Sequence, residues 1–131
     1  MQEFLHGGLT EKVLGAAFEV HRLLGPGFLE SVYEEALAVE LERNQLVFER
    51  QVEIPIFYKT AQVGTHRLDL IVAKNVVVEL KTVRELADIH TAIALSYLKA
   101  ANLSVALLLN FATRSLEYKR VTLKQSPRSS V

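Results

Sequence analysis

An α/β domain built on a mixed sheet of about five strands is predicted by three features of the sequence. Two helical stretches, residues 10–24 and about 28–44, precede a run of alternating apolar positions. Further on, a helical stretch from Asp88 to Ala101 separates the strand-like Val76–Lys81 from Ser104–Phe111, whose SVALLLNF is apolar almost throughout. A strand, crossover helix and strand of this kind are expected to be parallel and right-handed, and an unbroken apolar strand belongs in a sheet covered on both faces. The third feature is RLDLIVAKNVVVELK at Arg67–Lys81, two apolar runs close enough to form a hairpin. A chain of 131 residues builds one core, so a single domain is expected over residues 1–124, with QSPRSSV at 125–131 a frayed tail.

Each element has its own local signal. Thr10 is the expected N-cap of the first helix, whose Val13, Leu14, Ala17, Phe18, Val20 and Leu24 recur at helical spacing, and Gly25-Pro26-Gly27 ends it. His21 in that helix reads as a partly buried, hydrogen-bonded histidine, because no second histidine stands at ligand spacing. The second helix starts near Phe28 or Leu29 and turns Val32, Tyr33, Ala36, Leu37 and Leu41 inward. Glu30 lies in its first turn, where the helix dipole alone favours an acid by about 0.3 to 1 kcal/mol. Glu34, one turn on, repels Glu30 unless a cation or an arginine intervenes. Val47 to Tyr58 is extended, and Pro55 makes it an edge strand or a bulged one. A turn is expected around Lys59 to Gly64. Asp88 is the expected cap of the crossover helix, apolar around most of its circumference and hence buried, and Leu116 to Leu123 is a last strand.

The hairpin carries the chemistry. Leu68, Leu70 and Val72 alternate on its first run and Val76, Val78 and Leu80 on its second, which leaves Arg67, Asp69, Ile71, Val77, Glu79 and Lys81 on the other face. A two-residue Lys74-Asn75 turn would pair Asp69 with Leu80 and separate the acids. A three-residue Ala73-Lys74-Asn75 loop with Asn75 left-handed pairs Asp69 with Glu79, and that register is expected because it keeps the Leu and Val positions together. Carboxylates so opposed, about 4 Å apart at closest, repel by about 4 kcal/mol at an effective dielectric near 20. A raised pKa, the Lys81 ammonium, or a hard divalent cation can offset this. The cation suits the geometry best, since a carboxylate pair leaves most of an Mg²⁺ shell to water and substrate phosphate. Lys81, on the same side as Glu79, would then position the attacking water or steady transition-state charge. Two plainer readings stand beside this one: a surface ion pair of Glu79 with Lys81, and a metal-free acid and base of the glycosidase kind. The second needs carboxyls about 5 to 9.5 Å apart and a sugar cleft, which the few aromatics do not line.

Composition narrows the setting. The chain has no cysteine, so disulfides and thiolate zinc sites are excluded. It shows neither a secretory leader nor an apolar run of about 20 residues, and a soluble cytoplasmic protein without a membrane partner is expected. Net charge is zero but divided: residues 1–53 carry ten acids against four bases, and residues 54–131 carry eleven bases against five acids. A phosphate backbone is drawn to the basic second half.

Asp69 followed ten residues later by Glu79-Leu80-Lys81 resembles the motif of the PD-(D/E)XK nuclease superfamily, and Gly27-Phe28-Leu29-Glu30-Ser31-Val32-Tyr33 resembles the signature of its small GxxExxY family. The resemblance runs from the first helix through Leu107–Phe111. It implies a restriction-endonuclease-like core and a metal-dependent nuclease, with Asp69, Glu79 and Glu30 toward Mg²⁺ or Mn²⁺ and Lys81 assisting water. Tyr33, Arg67, Arg84 and Tyr97 are further candidates for contact with substrate. Related nucleases carry Q-x-x-x-Y on the helix after the ExK strand; the matching residues are Ile93 to Tyr97, with isoleucine in place of glutamine. The expected partner is nucleic acid, with a homo-oligomer also open. The alternative function is a nuclease-like domain that grips nucleic acid or a protein without cutting.

Overall fold

The structure, a computed structural model, describes residues 5–124, so the expected tail at 125–131 lies outside the described residues. Helices α1 (Gly7–Leu24) and α2 (Glu30–Arg43) are followed by strands β1 (Phe48–Tyr58), β2 (Ala61–Val72) and β3 (Val76–Lys81), helix α3 (Asp88–Ala101), and strands β4 (Val105–Asn110) and β5 (Glu117–Thr122). The five strands form one mixed sheet in the order β1-β2-β3-β4-β5. β3 and β4 are parallel, joined through α3, while the other neighbours are antiparallel. Pro55 sits on β1 at the sheet edge, where a missing N–H is tolerated.

The sheet separates two cores. On one face α1 and α2 bring Val13, Ala17, Tyr33, Leu37 and Leu41 onto Leu70, Val78, Leu80, Leu107 and Leu109. On the other, α3 sets Ala94 and Leu98 on Leu68, Ile71, Val77, Ala106 and Leu108. β4 is buried along its whole length, having a strand on each side and helices over both faces. His21 is buried, with Nε2 2.9 Å from the Thr113 carbonyl, as a structural histidine should be.

Several local expectations are corrected. α1 starts at Gly7, after a left-handed His6, and Thr10 lies inside it with its hydroxyl donating to the Gly7 carbonyl at 3.0 Å instead of capping. Ala87, not Asp88, is the N-cap of α3; its N–H donates to His90 Nδ1 at 2.8 Å, so an imidazole fills the role of the Glu or Gln in a capping box. α3 itself is half-buried, with Ile89 61% exposed, because no second layer covers its outer side. Val32 of α2 is exposed as well. The β1–β2 turn is tighter than expected: β2 begins at Ala61 and contains Gly64. In the β2–β3 loop Ala73 and Lys74, not Asn75, are left-handed, and Asn75 N–H donates to the Val72 carbonyl at 3.0 Å. Two successive left-handed residues match the twist of the strands that they join. Finally, Leu68 packs toward α3 while Leu70 packs toward α1 and α2, so the even positions of β2 do not share one face.

Candidate active site

That change of face is where the acids stand. β1 and β2 pair regularly on either side of Gln51 and Asp69 but not at that position, and Gln51 is left-handed with φ 50°. A left-handed glutamine costs about 1 to 2 kcal/mol, which the surrounding contacts must offset. β2 and β3 pair from Val72 with Val76 to Leu70 with Val78, and the next positions in that register are Asp69 and Glu79. There the backbone ladder gives way to side chains. Asp69 N–H donates to Glu79 Oε2 at 2.9 Å, and Leu80 N–H donates to Asp69 Oδ2 at 2.8 Å. The exchange satisfies two buried N–H groups and locks both carboxylates across the hairpin. Each acid thereby keeps one oxygen, Oδ1 of Asp69 and Oε1 of Glu79, that takes no backbone hydrogen.

Glu79 is 3% exposed. Burial, and then the neighbouring Asp69, push its pKa up to about 8. Burial likewise raises Asp69, with the Leu80 N–H opposing the shift and Glu34 adding to it. Glu30, in the first turn of α2, is raised by burial and by the charge of Asp69, while Lys81 acts in the opposite sense on all three acids. Lys81 ends β3 half-buried, and among the described residues it makes no ion pair within 4 Å, which removes the reading as a surface pair with Glu79. The cluster therefore holds more negative charge than its one lysine balances.

The loop and strand around the acids fix their neighbours. Tyr33 is fully buried, stacked on Phe111 with ring centroids 4.6 Å apart. Its hydroxyl donates to the Gly25 carbonyl at 2.5 Å and accepts from Phe28 N–H at 3.2 Å, so it clamps the loop whose Gly27 adopts φ 114°. This sets where α2, and with it Glu30, begins. Tyr33 is a positioning residue and is not accessible for contact with substrate. Glu34 accepts from Arg50 at 3.0 Å and from Gln51 at 2.8 Å, and Arg50 also pairs with Glu35, not with Glu30. Arg67 is held in an exposed pair with Glu53 at 3.0 Å, and Arg84 is exposed in the loop after β3. That loop is pinned by the fully buried Asn110, which accepts from Val83 N–H and donates to the Val83 carbonyl and to Glu117. Tyr97 on α3 is half-buried, and burial together with the charges of Glu79 and Asp69 raises its pKa. Glu34 stands in the sequence only as a like-charged neighbour of Glu30, because Arg50 and Gln51, its partners, lie 16 and 17 positions away and give no local signal.

Acids brought together on a divided hairpin, beside one lysine and the N-terminus of a helix, are now a defined geometry. A profile of the PD-(D/E)XK nuclease superfamily matches residues 8–121. The chain belongs to the PD-(D/E)XK nuclease superfamily. It is also similar to the crystal structure of a protein named SSO0001, with a TM-score of 0.60 and 18% identity over 92% of this chain. At that identity the likeness shows the fold alone, and the chain spans 60% of that protein's length. None of the curated proteins matches it. Ile93, in the place of the superfamily's glutamine, is half-buried on α3. No helix among the described residues is long and apolar enough to cross a membrane.

The donors suit a hard divalent cation: they are carboxylate oxygens only, and one oxygen of each acid takes no backbone hydrogen. Among the described residues no three His, Cys, Asp or Glu are placed to hold an ion together, so Glu30 does not complete a three-acid cluster with Asp69 and Glu79.

Proposed function

We propose that this domain hydrolyses phosphodiester bonds in nucleic acid with a divalent cation, Mg²⁺ or Mn²⁺, held by Asp69 and Glu79. The observation that carries the reading is the cross-bonded pair itself: a buried Glu79 and a half-buried Asp69, each held by the other strand's backbone N–H and each with its pKa raised. A bound cation supplies charge to polarise the phosphate and to acidify a water molecule. Glu30 joins through water from the α2 end. Lys81 holds the attacking water in line or steadies charge on the phosphoryl oxygens, and Tyr97 faces the same space from α3. The spacing of Gly27, Glu30 and Tyr33 favours membership of the GxxExxY family, and the clamp that Tyr33 makes around Gly25–Phe28 gives that spacing a physical reason.

The test is cleavage of labelled single- and double-stranded DNA and RNA at millimolar Mn²⁺ or Mg²⁺. Cutting by the parent that disappears in Glu79→Gln supports the reading. Absence of cutting on every substrate overturns it and leaves a binding domain, for which a gain of cleavage in Ile93→Gln would locate the defect on α3.

A further inference from the structure

A cleft of about 390 Å³ lies between the β1–β2 hairpin and α3, lined by Ile56, Phe57, His66, Ser96 and Lys99. Its volume is at the small end of the range for ligand sites, enough for one nucleotide. The walls divide by chemistry. Ile56 and Phe57 offer an apolar surface, and Phe57 is 59% exposed although it is a large aromatic. Opposite are a lysine and a hydrogen-bonded Ser–His pair: Ser96 gives its proton to the Ile93 carbonyl at 2.6 Å, so its Oγ accepts from His66 Nε2 at 3.2 Å.

One wall of the cleft, His66, is on the same strand as Asp69. The His66 ring meets the Tyr97 ring edge to face at 4.5 Å, and Tyr97 is near enough to Glu79 and Asp69 for their charges to add to the rise that burial causes in its pKa. His66 precedes Asp69 by three positions on β2, about 10 Å along a strand. A chain whose scissile phosphate lies at the acids thus brings a neighbouring nucleotide to this cleft.

The geometry points to a subsite for an unpaired nucleotide flanking the scissile phosphate, its base against Phe57 and Ile56 and its phosphate toward Lys99. The inference rests on the nuclease reading of the acid pair and adds that the substrate is single-stranded at this position. An aromatic face accepts any base, whereas a base held in a duplex has no free face to offer.

The experiment measures binding in EDTA, by fluorescence anisotropy, of a labelled single-stranded oligodeoxythymidylate and of a duplex of equal length. The variants are Phe57→Ala and Lys99→Ala, both at exposed positions, with thermal unfolding to confirm the fold. Phe57→Ala should weaken single-strand binding about 5- to 150-fold, the range for losing one stacked base. Lys99→Ala should lower the slope of log affinity against log salt by about 0.7. The subsite is overturned if the parent fails to bind the single strand, if the duplex binds as tightly, or if both variants bind as the parent does. Cleavage at millimolar Mn²⁺ with unaffected variants would sink the subsite and keep the nuclease. Variant-sensitive binding without any cleavage would do the reverse.

Discussion

Raising the pH of the metal-free protein from 5 to 8 should destabilise it, and Glu79→Gln should remove much of that loss. The pKa of Glu79 stands at about 8 against an ordinary 4.5. Between those values the folded chain holds a proton that the unfolded chain releases. Its stabilisation is therefore complete below about pH 4.5 and is lost as pH rises through 8. Each tenfold difference in proton affinity between the folded and unfolded chain is worth about 1.4 kcal/mol, so the loss is on the order of a few kcal/mol. Asp69, raised chiefly by burial like Glu79, acts in the same direction. Glutamine reproduces the protonated acid in shape, its carbonyl can still accept from Asp69 N–H, and its NH₂ faces the Asp69 carboxylate. Urea unfolding of both proteins in EDTA at pH 5, 6, 7 and 8 gives the comparison, and the difference between them cancels the titration of remote groups. The variant should match the parent near pH 5 and exceed it by a few kcal/mol at pH 8. Parallel pH profiles would refute the argument that Glu79 is held protonated by burial and by Asp69.

Three further outcomes follow from the same contacts. Lys81→Ala should lower Mn²⁺-dependent cleavage by about 10²- to 10³-fold while metal affinity and fold are kept, as read from single-turnover rates and calorimetry. Tyr33→Phe deprives the Phe28 N–H of its acceptor and the Gly25 carbonyl of its donor; a loss of about 1 to 3 kcal/mol in denaturant unfolding is expected. Lys74→Gly should raise stability by up to about 1 kcal/mol, because Lys74 is left-handed at φ 60° and glycine adopts that conformation without strain.

The sheet and its parallel β3–β4 pair were legible from the apolar runs and the crossover helix between them, and the meeting of Asp69 with Glu79 from the length of the β2–β3 loop, although the Leu and Val positions of β2 do not stay on one face. Turn chemistry is less legible. Asn75 is the residue type that tolerates positive φ, yet the tight turn is made by Ala73 and Lys74, so hairpin twist outweighs local preference. The face change at Asp69 is hidden because the break opposite it is a left-handed glutamine, with no glycine or proline to mark it. Asn110 stands within an apolar run and gives no sign of its role. Its buried amide holds Val83 and Glu117, contacts 27 and 7 positions away that periodicity cannot report. Glu34 is likewise visible in the sequence only as a repulsive neighbour of Glu30, until β1 brings Arg50 and Gln51 to it.

The central claim is that the Asp69–Glu79 pair is a divalent-cation site, and calorimetric titration of Mn²⁺ at pH 7 in buffers of different ionisation enthalpy tests it most directly. A metal-binding carboxylate must be deprotonated, and Glu79, with its pKa at about 8, carries a proton at that pH. Saturable binding should therefore release about one proton per Mn²⁺, and the release should shrink as pH rises past 8. It should vanish in Glu79→Gln. No saturable uptake at millimolar Mn²⁺, or uptake that is the same in every buffer, would contradict the claim.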